Sequence, residues 1–144
     1  MSTESEEGRR IVASLAFRVS HIDDSDGIAD VIIAMLLDTN ASLVPIIGPK
    51  GVAALYRRSL HLSMSLHPRL TDICQPLAGP LDLTQLKSLL IQQDKDDVIF
   101  FGEALLKALY ELLVMLIGSS LSRRLLLDVW GTRLSTPPSQ ETSP

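Results

Sequence analysis

At 144 residues, 46% hydrophobic and 21% charged, the chain can bury one core and is too short for several domains. Its net charge of −4 argues against a broad basic surface for nonspecific DNA or RNA binding. The single cysteine, Cys74, excludes an internal disulfide and points to a reducing, cytoplasmic compartment.

Aromatic residues make up only 4%, so the core must come from Leu, Ile, Val, Ala and Met, a composition that suits helices better than a pleated sheet. The positive mean hydropathy suggests apolar surface meant for another chain. The opening "MSTESEEGRR" is polar and acidic, unlike a secretory leader. The best candidate for a membrane span, residues 98–117, carries Glu103, Lys107 and Glu111, so no span of about 20 uncharged residues is expected.

In chain order, residues 1–7 read as a disordered N-terminus, 8–131 as one helical domain and 132–144, with "TRLSTPPSQETSP", as a disordered tail. A first helix is expected over about 6–21, with Ile11, Val12, Leu15, Val19 and Ile22 at helical spacing and His21 as a favourable C-terminal cation. "DDSDG" at 23–27 ends it and offers Ser25 or Asp26 as cap for a helix over 27–38, burying Ile28, Val31, Ile32, Met35 and Leu36. Asn40 can cap a short third piece, with Pro45 in its first turns. "GPKG" at 48–51 reads as a turn before a fourth helix that presents Val52, Leu55, Tyr56 and Leu60. Within it, "SLHLSMSL" at 59–66 alternates like a strand, yet Leu, Met, His and Ser are weak strand formers, and helix is the expectation up to Pro68. Residues 71–80 form a loop or a short helical turn, and a fifth helix over 82–93 places Leu83, Leu86, Leu89 and Leu90 on one face.

"DKDD" at 94–97 puts three carboxylates at the start of the last helix, expected over about 97–130 with a possible bend at Gly118 and Gly131 closing it. Its first half is amphipathic: Phe101, Leu105, Ala108, Leu109 and Leu112 mark one face. The run Leu112, Leu113, Val114, Met115, Leu116 and Ile117 then covers more than a turn and a half, so every side is apolar there. Such a segment must be covered on all sides, either by neighbouring helices or across a two-fold axis, and a homodimer through these six residues is the expectation. A membrane-surface role is disfavoured, because the polar face is as acidic as it is basic.

The other anomaly is a reversal of charge sign. Between Asp38 and Asp72 there is no acidic residue, while Lys50, Arg57, Arg58, His61, His67 and Arg69 all fall there. Arg57 and His61 lie four apart on one helical face, Arg58 and His61 three apart, and Lys50 and Arg57 seven apart. Lys50, Arg57, Arg58, His61 and His67 are therefore candidate binding residues for a phosphate-bearing or acidic partner, since arginine forks match those groups. The competing reading is a solvated face, or one answered by the chain's own acids such as "DKDD". No catalytic residue and no cofactor is expected. Two histidines six apart with no nearby carboxylate do not make a metal site. "GPKG" lacks the spacing and the Lys-Ser or Lys-Thr pair of a Walker loop, and Cys74 has no histidine fixed near it. "SSLSRR" at 119–124 is not a nucleophile elbow.

The expectation is a single compact all-α bundle of five to six helices with a long C-terminal helix. The expected function is a non-enzymatic interaction or regulatory module, self-associating through its last helix and docking an acidic partner. Histidine phosphotransfer through His61 or His67 is the first alternative, and a small ligand-binding bundle the second.

Overall fold

The computed structural model describes residues 6–74, 82–127 and 130. Among the described residues six α-helices form one all-α bundle: α1 (Glu6–Arg18), α2 (Ser25–Leu66), α3 (Thr71–Cys74), α4 (Leu83–Leu90), α5 (Lys95–Ile117) and α6 (Ser119–Ser122). A 3-10 turn, Pro68–Leu70, joins α2 to α3, and a π-helical turn, Arg123–Leu127, follows α6. No strand occurs among the described residues, and 59–66 are helical.

The three separate helices expected over 27–66 are one element, α2, interrupted only at Gly48 (φ 79°, ψ 163°). Asn40 caps nothing; it is an exposed residue inside α2. "DTNAS" contains residues that favour caps, but Met35, Leu36, Thr39 and Leu43 are all buried at helical spacing. Their burial carries the helix through a stretch of weak propensity. The cap at the start of α2 is also neither Ser25 nor Asp26: Asp24 accepts from the Gly27 N–H at 3.2 Å.

Pro45 therefore sits some twenty residues into a helix rather than in its first turns. It has no N–H for the carbonyl of Ala41, and Pro49 has none for the carbonyl of Pro45. Pro49 also disfavours α geometry in the residue before it, and Gly48 takes up the extended, left-handed conformation that only glycine adopts cheaply. Of the expected "GPKG" turn, this one residue makes the break, and Lys50 and Gly51 are already helical. A buried bond across the kink ties the two arms of α2: the Tyr56 hydroxyl donates to the Leu36 carbonyl at 2.5 Å. Burial pushes the Tyr56 pKa well up, so this hydroxyl stays protonated at neutral pH.

α5 runs through the centre, packed on both α2 and α1. Its Val98, Phe101, Leu105, Leu106, Leu109 and Leu113 are fully or almost fully buried. It begins at Lys95 rather than 97, and at Gly118 (φ 91°) it ends rather than bends. α4 is shorter than expected, capped by Asp82, which accepts from the N–H groups of Thr84 and Gln85. α1 stops at Arg18, which leaves His21 exposed in the turn beyond it.

Trp130 belongs to the core, its side chain fully buried. Its indole N–H donates to Thr39 Oγ1 at 3.2 Å, and its carbonyl accepts from Arg18 Nη2 at 2.7 Å. Thr39 in turn donates to the Met35 carbonyl at 2.8 Å, so the one polar edge of the indole is satisfied in the core.

The candidate for a membrane span also lies elsewhere than expected. Among the described residues α2, not 98–117, is the helix long and apolar enough to cross a membrane, with a mean hydropathy of 1.8 in a window only 28% buried. Ile28, Ile32, Met35, Leu36 and Leu43 face the bundle core, while Leu37 and Ile46 lie exposed. The expected disorder of 1–7 and 132–144 falls almost wholly outside the described residues, as does Gly131.

Gly102 sets how closely α5 approaches α1 and α2. A Cβ there would stand 2.7 Å from Ile32 Cδ1 and 2.9 Å from Leu15 Cδ2, both side chains fully buried. Gly102→Val is expected to lower stability by about 1–3 kcal/mol through overpacking, despite the better helix propensity of a side chain. Urea denaturation of the two proteins measures the difference.

Candidate functional site

The basic stretch divides in two where α2 ends. His67 is the C-cap of α2, its N–H bonded to the Ser63 carbonyl. Its ring meets Phe100 edge-on, with centroids 5.0 Å apart. The Arg69 guanidinium lies over the same Phe100 ring at 4.2 Å and donates to Asp97 Oδ1 at 2.6 Å. His67 and Arg69 are thus taken up by the first turns of α5, and the "DKDD" carboxylates do answer part of the chain's own basic charge.

The other half points outward. Arg57, Arg58 and His61 are exposed on the second arm of α2, and neither arginine forms an ion pair among the described residues. With Leu62 and Leu112 they line a shallow hollow of about 360 Å³. A second hollow of about 450 Å³ continues it, lined by Gly51, Ala54, Leu55, Arg58, Leu112, Met115 and Leu116. Arg58 and Leu112 belong to both, so the two hollows form one groove between the second arm of α2 and the end of α5.

Small side chains make this groove. Gly51 and Ala54 stand where larger residues would fill it, and a Cβ on Gly51 would press on Ile47 Cβ at 3.1 Å. Further along, Ser59 and Ser63 face the core, each donating to the carbonyl four residues earlier at 2.8 Å. The alternation in 59–66 does not divide inside from outside: Ser59, Leu60 and Ser63 are buried, while Ser65 and Leu66 are exposed.

The six residues of the expected seam do not share one fate. Leu113 is fully buried in the core, and Leu112, Val114 and Ile117 are half-buried. Met115 is 80% exposed and Leu116 is 59% exposed, so neighbouring helices of this chain leave the outer side of the run uncovered. Lys50 is exposed but does not line the groove, and His67 lies outside it. Of the floor residues, Gly51, Ala54 and Leu62 were not singled out in the sequence as binding residues, and Leu55 was expected only as core. Their only signal is spacing, because 51, 54, 55, 58 and 62 recur on one side of a helix.

Met115 is also a crest, since it borders a hollow on its other flank, about 470 Å³, with Glu7, Tyr110, Glu111, Val114, Ser119 and Arg123. There Arg123 Nη2 donates to Glu7 Oε2 at 2.9 Å. That bond holds the Glu7 carboxyl below the usual carboxylate range, and the carboxylate in turn raises the Arg123 pKa. Tyr110 beside them is raised, first by burial and then by the Glu7 charge. Glu111 is exposed and has no ion pair among the described residues. Across the same residues, no three His, Cys, Asp or Glu side chains gather as a metal site would need. No protein-family model, curated protein or solved structure matches the chain.

The Glu7–Arg123 pair joins α1 to the π-helical turn after α6 and makes stability depend on acid. A carboxyl whose pKa is lowered on folding adds stability above its unfolded value of 4.5, and that stability is lost as pH falls through the lower folded value. Glu7→Gln is expected to melt below the wild type at neutral pH, with the gap closing as the buffer is taken below that range. Thermal melts across a pH series test this, and a gap that stays constant in acid would refute it.

Proposed function

We propose that the chain is a non-enzymatic helical interaction module of the cytoplasm, docking an acidic amphipathic helix of a partner in the groove between α2 and α5. One observation carries this reading. The cationic rim of Arg57 and Arg58, unpaired among the described residues, stands beside an apolar floor of Leu55, Leu62, Leu112 and Met115. A groove of this kind accepts a helix laid along it, with apolar side chains on the floor and acidic ones at the rim. The rim charges steer encounter and select the partner's sign, while the floor supplies the lasting affinity. A free phosphate would use the arginines alone and leave the apolar floor wet, so a protein helix suits the whole surface better.

The test uses a fluorescent probe helix with leucines at i, i+3, i+4 and i+7 and glutamates flanking them, beside a copy with lysines in their place. The wild type is expected to bind the glutamate probe, more weakly as salt rises. Arg57→Glu with Arg58→Glu should lose at least ~10-fold in affinity, about 1.4 kcal/mol, and should favour the lysine probe instead. Equal binding of both probes to the wild type would refute the reading.

A second reading keeps His61 as a phosphoryl carrier, favoured by one observation: its exposed ring shares a hollow with two unpaired arginines that could hold a phosphoryl group. His67, half-buried against Phe100, is less suited. Incubation with acetyl phosphate should then leave an acid-labile phosphate that disappears in His61→Ala. A chain that takes up no phosphate would end this alternative.

A further inference from the structure

We infer that a second copy of this chain occupies the same groove, through a parallel two-fold pairing of α5 that puts Arg57 and Arg58 of each copy against Glu111 of the other, so that self-association and partner docking exclude one another. This rests on the docking reading above for its regulatory meaning, but its geometry stands on separate observations. The crest of the surface is apolar and uncovered, with Met115 80% and Leu116 59% exposed. One flank of Met115 is cationic, where Arg58 lines the groove with Leu112 and Met115. The opposite flank carries Glu111, one helical turn before Met115, which lines the hollow on that side and also borders, with Lys107, a hollow towards the end of α2. Arg123 also stands there, with its charge answered by Glu7 at 2.9 Å. Arg57, Arg58 and Glu111 have no ion pair among the described residues.

A two-fold interface brings a surface against itself, so the surface must be self-complementary. Two face-to-face arrangements of α5 satisfy the symmetry. With the axis parallel to the helices, the right flank of one copy faces the left flank of the other, and arginines meet Glu111 at the height of Leu112. With the axis across the helices, each flank meets its own kind, and four arginines crowd together. Like charges brought together this way disfavour that pairing. The charge placement therefore selects the parallel pairing, with Leu112, Met115 and Leu116 closing the apolar seam. Because Arg58, Leu112 and Met115 line the groove as well, the dimer fills the space a partner helix needs.

Sedimentation equilibrium of the full chain across a micromolar concentration series tests the dimer, and the glutamate probe helix tests the exclusion. The wild type is expected to dimerise. Glu111→Arg, or Arg57→Glu with Arg58→Glu, should each weaken the dimer at least tenfold, and the triple variant carrying all three changes should recover it. That recovery also shows that the weakened variants are folded. Glu111→Arg lies on the far flank from the arginines, so it should bind the glutamate probe more tightly than the wild type does as dimer competition is removed. A wild type that stays monomeric, a dimer indifferent to Glu111→Arg, or a triple variant that remains monomeric would each overturn the inference. A wild type that binds the probe yet never dimerises leaves the docking reading standing alone. A charge-reversible dimer that ignores the probe upholds the pairing and overturns the docking and its exclusion.

Discussion

The arrangement of this bundle depends on a single backbone event, the break of α2 at Gly48. A helix running unbroken from Ser25 to Leu66 would be about 60 Å long, far longer than a domain of this size can cover. Two prolines, Pro45 and Pro49, have already removed two rungs of the hydrogen-bond ladder around that point. The break falls where the helix has least to lose. Gly48 absorbs it at φ 79°, a region that a side-chain-bearing residue enters only with strain. The second arm is then held to the first by the buried Tyr56–Leu36 bond and lies along α5.

From that placement the groove follows. Where the second arm covers the middle of α5, small residues meet: Ser59 and Ser63 turn inward, and Ala104 and Ala108 are buried. Towards the start of the arm the sequence gives Gly51 and Ala54 instead of larger side chains, and the two helices leave space between them. The long apolar run of α5 ends there too, at Gly118 (φ 91°), and Met115 and Leu116 stay exposed although α6 follows directly. The basic face and the apolar run, more than fifty residues apart in sequence, become one amphipathic surface.

The class of fold and the buried stripe of α5 were legible because both rest on helical periodicity, which needs no tertiary information. The break points were less so. "DTNAS" looks like an end of helix residue by residue, and only the burial of Thr39 and Leu43 shows why it is not. Conversely, Gly118 looked like a bend in a continuing helix, and its positive φ makes it a terminus. Of the site, Arg57, Arg58 and His61 were visible as a reversal of charge sign, whereas the separation of His67 from them depends on Phe100, thirty-three positions away in the chain. The apolar floor residues Leu112 and Met115 were visible in the run 112–117, but the space beside Gly51 and Ala54 was not, since a glycine or alanine marks a cavity only once its neighbour across the gap is known.

Other cations of this protein show what a structural charge looks like here. Lys87 reaches both Asp26 and Asp30, Arg69 reaches Asp97, and Arg123 reaches Glu7. Each of these joins two elements of the bundle, so each has a role in the fold. Arg57 and Arg58 join nothing among the described residues, and the outer groove residues Met115 and Leu116 contribute little to the buried core. The residues that hold the bundle together, Trp130, Phe101, Ile32 and Leu15, lie in a separate set. Changes at sites that share no partners act nearly independently on stability. The surface can therefore be altered without dissolving the fold, so the docking proposed for the two adjacent arginines and the apolar floor beside them can be tested on a folded protein.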